Sequence, residues 1–234
     1  MGSFDFVTFF FFVAAVIIFI QLRSVLGKRT GSERPPREQT ARREQAGTEG
    51  GMDDPKVVTL PRRGRENAEP DMFAAVDAYA EPGSELNEGL REVVTADPSF
   101  TPQEFVGGAT MAYEMIVSAY ADGDRKALKG LLSREVFDGF VAAIDEREAR
   151  GETVRSNFVG IEMANIIQAE MKGTEANITL RIISQLISAT LDKDDKVIEG
   201  DLVDVTDVND VWTFSRDTRS KDPNWRLIAT EADQ

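Results

Sequence analysis

The sequence predicts an α+β protein: an N-terminal transmembrane helix, a disordered linker, and then helices packed on a bent antiparallel sheet. Three observations carry this reading. Phe6 to Leu22 is apolar apart from Thr8 and Gln21. A stretch rich in Pro, Gly and charge follows, with almost no apolar periodicity. Beyond it, apolar residues recur at helical spacing as far as Gly151, after which their period changes to two.

The first element is an anchor over residues 1–26, with Phe6, Phe12, Ile18 and Leu22 in its apolar run. A helix over Phe6 to Leu22 reaches about 25 Å, slightly short of a hydrocarbon core, and snorkelling by Gln21 and Arg23 makes up the difference. A secretion signal carries positive charge before its apolar run and small residues at a cut site after it. Here Asp5 precedes the run, and Arg23, Lys28, Arg29, Arg34, Arg37, Arg42 and Arg43 follow. By the positive-inside rule the C-terminal side stays in the cytoplasm, with the phospholipid bilayer as the first partner.

Residues 27–70 hold five prolines and mixed charge and are expected to be a flexible linker. Basic clusters at Arg42–Arg43 and Arg62–Arg63–Arg65 either touch anionic headgroups or are simply solvated. In residues 71–97, Met72, Phe73, Val76, Tyr79 and Ala80 form a short amphipathic segment that either packs on the domain or docks a partner. Leu86, Leu90, Val93 and Val94 form a second.

The domain proper, 98–234, starts at Thr101 as N-cap with Pro102 and Glu104 behind it, a capping-box signature. Phe105, Ala109, Ala112, Tyr113, Ile116, Val117 and Tyr120 then mark a long core helix, with Gly123 suited to a left-handed C-cap. Gly107–Gly108 within it reads as close helix packing. A short helix carries Leu128, Leu131 and Leu132, and Ser133 opens a third with Val136, Phe137, Phe140, Val141 and Ile144 inward. Val159, Ile161, Met163, Ile167, Ala169 and Met171 alternate as a strand face. From Ala176 the apolar phase starts even and turns odd at Ile183, which suggests a β-bulge there. Further strands are expected around Leu202–Val208, Val211–Arg216 and Trp225–Thr230.

Composition narrows the function. The net charge is −14, and residues 71–234 carry sixteen Lys/Arg against thirty-two Asp/Glu, a surface that repels phosphate backbones, so no nucleic-acid partner is expected. The sequence has no Cys and no His, which removes disulfides, thiol nucleophiles, the usual zinc ligands and every His-based acid/base pair. The acidic run Asp192, Asp194, Asp195, Glu199, Asp201, Asp204, Asp207 and Asp210 fails the calcium-loop pattern and reads as a solvated strand edge. No catalytic, cofactor or metal residues are assigned.

"GDRKALKGLLSREVFDGF" followed by long bent strands resembles the nuclear-transport-factor-2-like cone. "LRSVLGKRTGSERPP" behind the anchor, with "DVWTFSRDTRSKDPNWRLIAT" near the end, resembles the bacterial branch of the Tim44-like family, named for the mitochondrial import-motor tether. The resemblance implies a non-enzymatic adaptor at a bacterial inner membrane, its domain in the cytoplasm, with a chaperone, translocase or ribosome among its partner classes. A spanning helix and a shorter linker are expected in place of the long N-terminal region of the mitochondrial relative, so chaperone binding is not carried over by residue. Tyr113, Tyr120, Phe137, Phe140, Trp212, Phe214 and Trp225 are the candidate pocket or groove residues, with buried core as their alternative. Related cones host isomerases and dehydratases, so a ligand- or lipid-binding cone or an enzyme is the rival reading. An open pocket with a buried carboxylate would favour the enzyme, and an exposed apolar groove the adaptor.

Overall fold

Helix-forming residues gather at the start of the described chain and strand-forming residues at its end, and the two sets pack face to face. The computed structural model describes residues 71–232; the anchor and linker expected over 1–70 lie outside them. Five helices come first: α1 (Ala74–Tyr79), α2 (Glu85–Ala96), α3 (Pro102–Asp122), α4 (Arg125–Leu131) and α5 (Arg134–Ala149). Then come β1 (Thr153–Lys172), β2 (Glu175–Leu191), β3 (Val197–Gly200), β4 (Thr206–Asp217) and β5 (Arg226–Ala232). The strands pair with one another antiparallel, in the order β1-β2-β4-β5, with β3 paired to the far end of β2. Among the described residues no helix is long and apolar enough to cross a membrane.

The helix ends follow from local chemistry. Thr101 accepts the Glu104 N–H, Asp124 accepts those of Lys126 and Ala127, and Ser133 accepts that of Val136. Gly123 closes α3 at φ +70°, in the left-handed region that favours glycine. Arg147 on α5 donates to the carbonyls of Tyr120 and Ala121, satisfying the C-terminal turn of α3 from a neighbouring helix.

The core lies between α3 and one face of the sheet. Ile178, Leu180 and Ile182 of β2 sit opposite Phe214, Trp212 and Asp210 of β4, and all six are buried. The α1–α2 pair closes onto the same core: Val76, Leu90, Val93 and Val94 are buried, and Asn87 and Arg91 both bond Asp77 to hold α1 against α2. Gly89 lets α2 lie directly on β1, because a Cβ there would come within 2.0 Å of the Ala169 carbonyl oxygen.

Five expectations need correction. In the β1–β2 pairing the bulges lie on β1, at Val159, Glu162 and Ile167, while β2 runs in unbroken register with β4. Val159 and Ile167 are therefore exposed, and Ile166 with Ala169 supplies the buried contacts of that strand. Leu202–Val205 is a turn and not a strand, since the Asp201 carboxylate accepts the N–H groups of Val203 and Asp204; β4 then runs unbroken through Val208 and Val211–Arg216. Gly107 and Gly108 pack against nothing: open space lies where their Cβ atoms would be. Asp210 leaves the solvated acidic run and is buried.

Candidate functional site

An open groove of about 430 Å³ runs between α3, α4, the α2–α3 turn and the β4–β5 connection. One wall is a stripe on α3, Glu104, Gly108, Met111 and Met115, one helical turn apart. Met111 is 63% exposed and Met115 50%, unusual for large apolar side chains on a helix that also supplies the core. The opposite wall is Phe214 and Trp225. Its end is Phe100 and Phe105, whose rings meet Trp225 at centroid distances of 6.0 and 4.7 Å.

An ion pair fixes the two walls. Asp97 at the end of α2 bonds Arg216 near the end of β4, both side chains largely buried, and the Arg216 guanidinium lies 5.3 Å from the centre of the Trp225 ring. The pair ties the helical wall to the sheet and sets the angle of the indole. Asp97→Ala leaves Arg216 charged and unpaired in a half-dry site, and is expected to cost about 3 kcal/mol. The double variant Asp97→Ala/Arg216→Met regains much of it, as chemical denaturation of each variant would show. Equal stability of wild type and Asp97→Ala would mean that the pair does not hold the walls.

Of the residues proposed from sequence, Phe214 and Trp225 line this groove. Tyr113 and Trp212 lie behind it in the core, their rings 4.4 Å apart. Tyr120 and Phe140 form a separate edge-to-face pair where α3 meets α5, and Phe137 is half-buried nearby on α5. Burial pushes the Tyr120 phenol up to about 12. Phe6, Phe12, Ile18 and Leu22 lie outside the described residues.

The core also holds a polar trio that the sequence reading missed. Tyr113 donates to Asp210 at 2.6 Å, and its hydroxyl lies 2.8 Å from that of Ser184. Asp210 is 2% exposed. Burial pushes its carboxyl up to about 6, against the hydrogen bond from Tyr113 and the smaller effect of the Trp212 indole N–H. The Tyr113 phenol is held well above its usual range by burial and by the neighbouring carboxylate. These groups could exchange a proton, yet none of them lines the groove. Among the described residues no cluster of three or more Asp and Glu is arranged to hold a metal.

A family model for the Tim44-like domain matches residues 86–232, well over half of the chain. This chain belongs to that family. The Tim44-like chain is 22% identical over 126 residues to the mitochondrial import inner membrane translocase subunit TIM44-1 of Arabidopsis thaliana, a match covering 54% of this chain and 27% of that relative. The chain thus spans about a quarter of the length of the relative it matches. Among solved structures, the Tim44-like chain is similar to the intermembrane space region of the chloroplast protein ARC6, with 11% identity, 58% of this chain and 98% of that one covered, and a TM-score of 0.41. A protein of the NTF2-like family from Streptomyces avermitilis shares 15% identity over 56% of this chain and 95% of its own, with a TM-score of 0.30.

Proposed function

We propose that this Tim44-like protein is a membrane-anchored adaptor of a bacterial inner membrane, whose cytoplasmic domain binds segments of other proteins in the groove beside α3. The observation that carries the reading is the exposed stripe of Met111 and Met115 facing Trp225. Methionines suit a surface that must accept varied apolar segments, because their side chains are unbranched and polarisable. The family match and the import-translocase relative support a role in protein translocation, insertion or chaperone handover. The buried Tyr113–Asp210–Ser184 trio does not favour an enzyme, since it does not meet the open groove.

The test is photo-crosslinking in living cells from a benzoylphenylalanine placed at Met111 of the full-length protein. Captured partners are expected to be components of protein translocation or insertion, or the chains they handle. Gly108→Trp is expected to abolish capture, because it fills the groove where the structure leaves open space and so spares the fold. Capture of the same partners with the groove filled, or of none in either form, would overturn the proposal.

A further inference from the structure

The groove also has a candidate occupant within this chain. Residues 56–65 read "KVVTLPRRGR", and Val57, Val58 and Leu60 are the one cluster of branched aliphatic residues in the sequence between Gly27 and Pro70. Four cations, Lys56, Arg62, Arg63 and Arg65, flank them. We infer that this segment binds the groove in cis and that partner proteins must displace it. The inference rests on the reading of the groove as a protein-binding site.

Three features point to this occupant. The first is fit: a groove of about 430 Å³ walled by Met111, Met115, Phe105 and Trp225 has room for a few aliphatic side chains. Gly108 and Gly130 also face it as helical glycines whose Cβ positions open onto empty space. Glycine in a helix costs about 1 kcal/mol relative to alanine, and here no packing within the domain requires it. What it gives is room for a second backbone to come close.

The second is charge. Among the charged residues that line the groove, Arg216 is neutralised by Asp97, which leaves Glu104 at the rim. The domain beyond is strongly acidic, with thirty-two Asp/Glu against sixteen Lys/Arg over residues 71–234. A segment that is apolar first and basic next complements an apolar groove in an acidic field. Anionic lipid is repelled by the same field.

The third is reach. The described chain enters beside α2, where the Arg91 guanidinium lies 4.5 Å from the centre of the Phe73 ring. From Arg91 the helix runs on to Asp97 in the groove wall, about 9 Å at 1.5 Å per residue. Asp71 lies eleven positions beyond Leu60, a distance of at most about 38 Å when extended. A tether this short holds the segment at about millimolar effective concentration, so even weak binding occupies the groove for much of the time.

The experiment uses the purified full-length protein in phospholipid vesicles, with benzoylphenylalanine at Met111 and peptide mapping of the products. The expected product links position 111 to residues 56–65 of the same molecule, and Val57→Asp/Leu60→Asp removes it. Mixing ¹⁴N- and ¹⁵N-labelled protein separates a cis link from one between two copies; links of mixed label would assign the segment to a second copy and overturn the cis arrangement. In cells, the same double variant is expected to raise partner capture at position 111 about two- to tenfold, as an internal competitor is lost. Absence of any link to 56–65, together with unchanged partner capture in the double variant, would overturn the inference while leaving the adaptor proposal standing. Loss of all partner capture would instead remove the proposal beneath it.

Discussion

Replacing Gly89 by Ala is expected to lower the unfolding midpoint by about 10 °C. Helix propensity alone predicts the opposite sign, since alanine is favoured over glycine within a helix by about 1 kcal/mol. Packing outweighs it. The new Cβ would stand 2.0 Å from the Ala169 carbonyl oxygen and 2.9 Å from its carbon, and both atoms belong to a strand backbone that cannot rotate aside. Helix α2 must lift off β1, loosening Leu90, Val93 and Val94, which are buried in the shared core. The cost is about 3 kcal/mol or more, which at about 2–4 °C per kcal/mol gives the shift stated. Thermal unfolding followed by circular dichroism checks it. A midpoint equal to or above that of wild type would mean that α2 does not rest on β1.

The second large effect depends on pH. The carboxyl of Asp210 rises from an ordinary 3.8 to about 6 on folding. Between these values the folded chain holds a proton that the unfolded chain has released. Stability from this group therefore falls as pH rises through 4 to 6 and levels off above that window. The full loss is about 3 kcal/mol. Asp210→Asn keeps an oxygen to accept from Tyr113 and cannot titrate. The difference in unfolding free energy between Asp210→Asn and wild type is expected to move in favour of the variant by about 2–3 kcal/mol from pH 4 to pH 7. Taking that difference cancels the slope common to both proteins from their other acidic residues. A difference that stayed constant with pH would show that Asp210 does not titrate in this range.

What was legible in the sequence was what neighbouring residues decide among themselves. The caps Thr101 and Ser133 and the left-handed Gly123 stand where their spacing placed them, because each acts within a single helical turn. The strand face of β1 was not legible, since it depends on which residues α2 and α3 cover, and the bulges at Val159 and Ile167 turn those apolar side chains outward. Asp210 could have been placed: it alternates with Trp212 and Phe214 and so shares their face, but its charge invited grouping with the neighbouring aspartates. The groove left a weak trace as well. Glu104, Gly108, Met111 and Met115 form a second helical stripe beside the core stripe, while the opposite wall comes from β4 and the β4–β5 connection, about a hundred residues away in sequence. Local periodicity cannot bring such walls together.

The outer strands of the sheet have one more consequence. At the β1 edge the Ile166 N–H is taken by the Tyr79 hydroxyl at 2.8 Å, and three bulges break the row in which another strand would register. On the other side Leu132 bridges to Leu227 of β5, and the Ser133 N–H is bonded to the Leu227 carbonyl. Neither margin offers an unbroken row of free backbone groups. Copies crowded together would thus resist zipping edge to edge into a fibre, which is the hazard that crowding poses to any protein with a long open sheet.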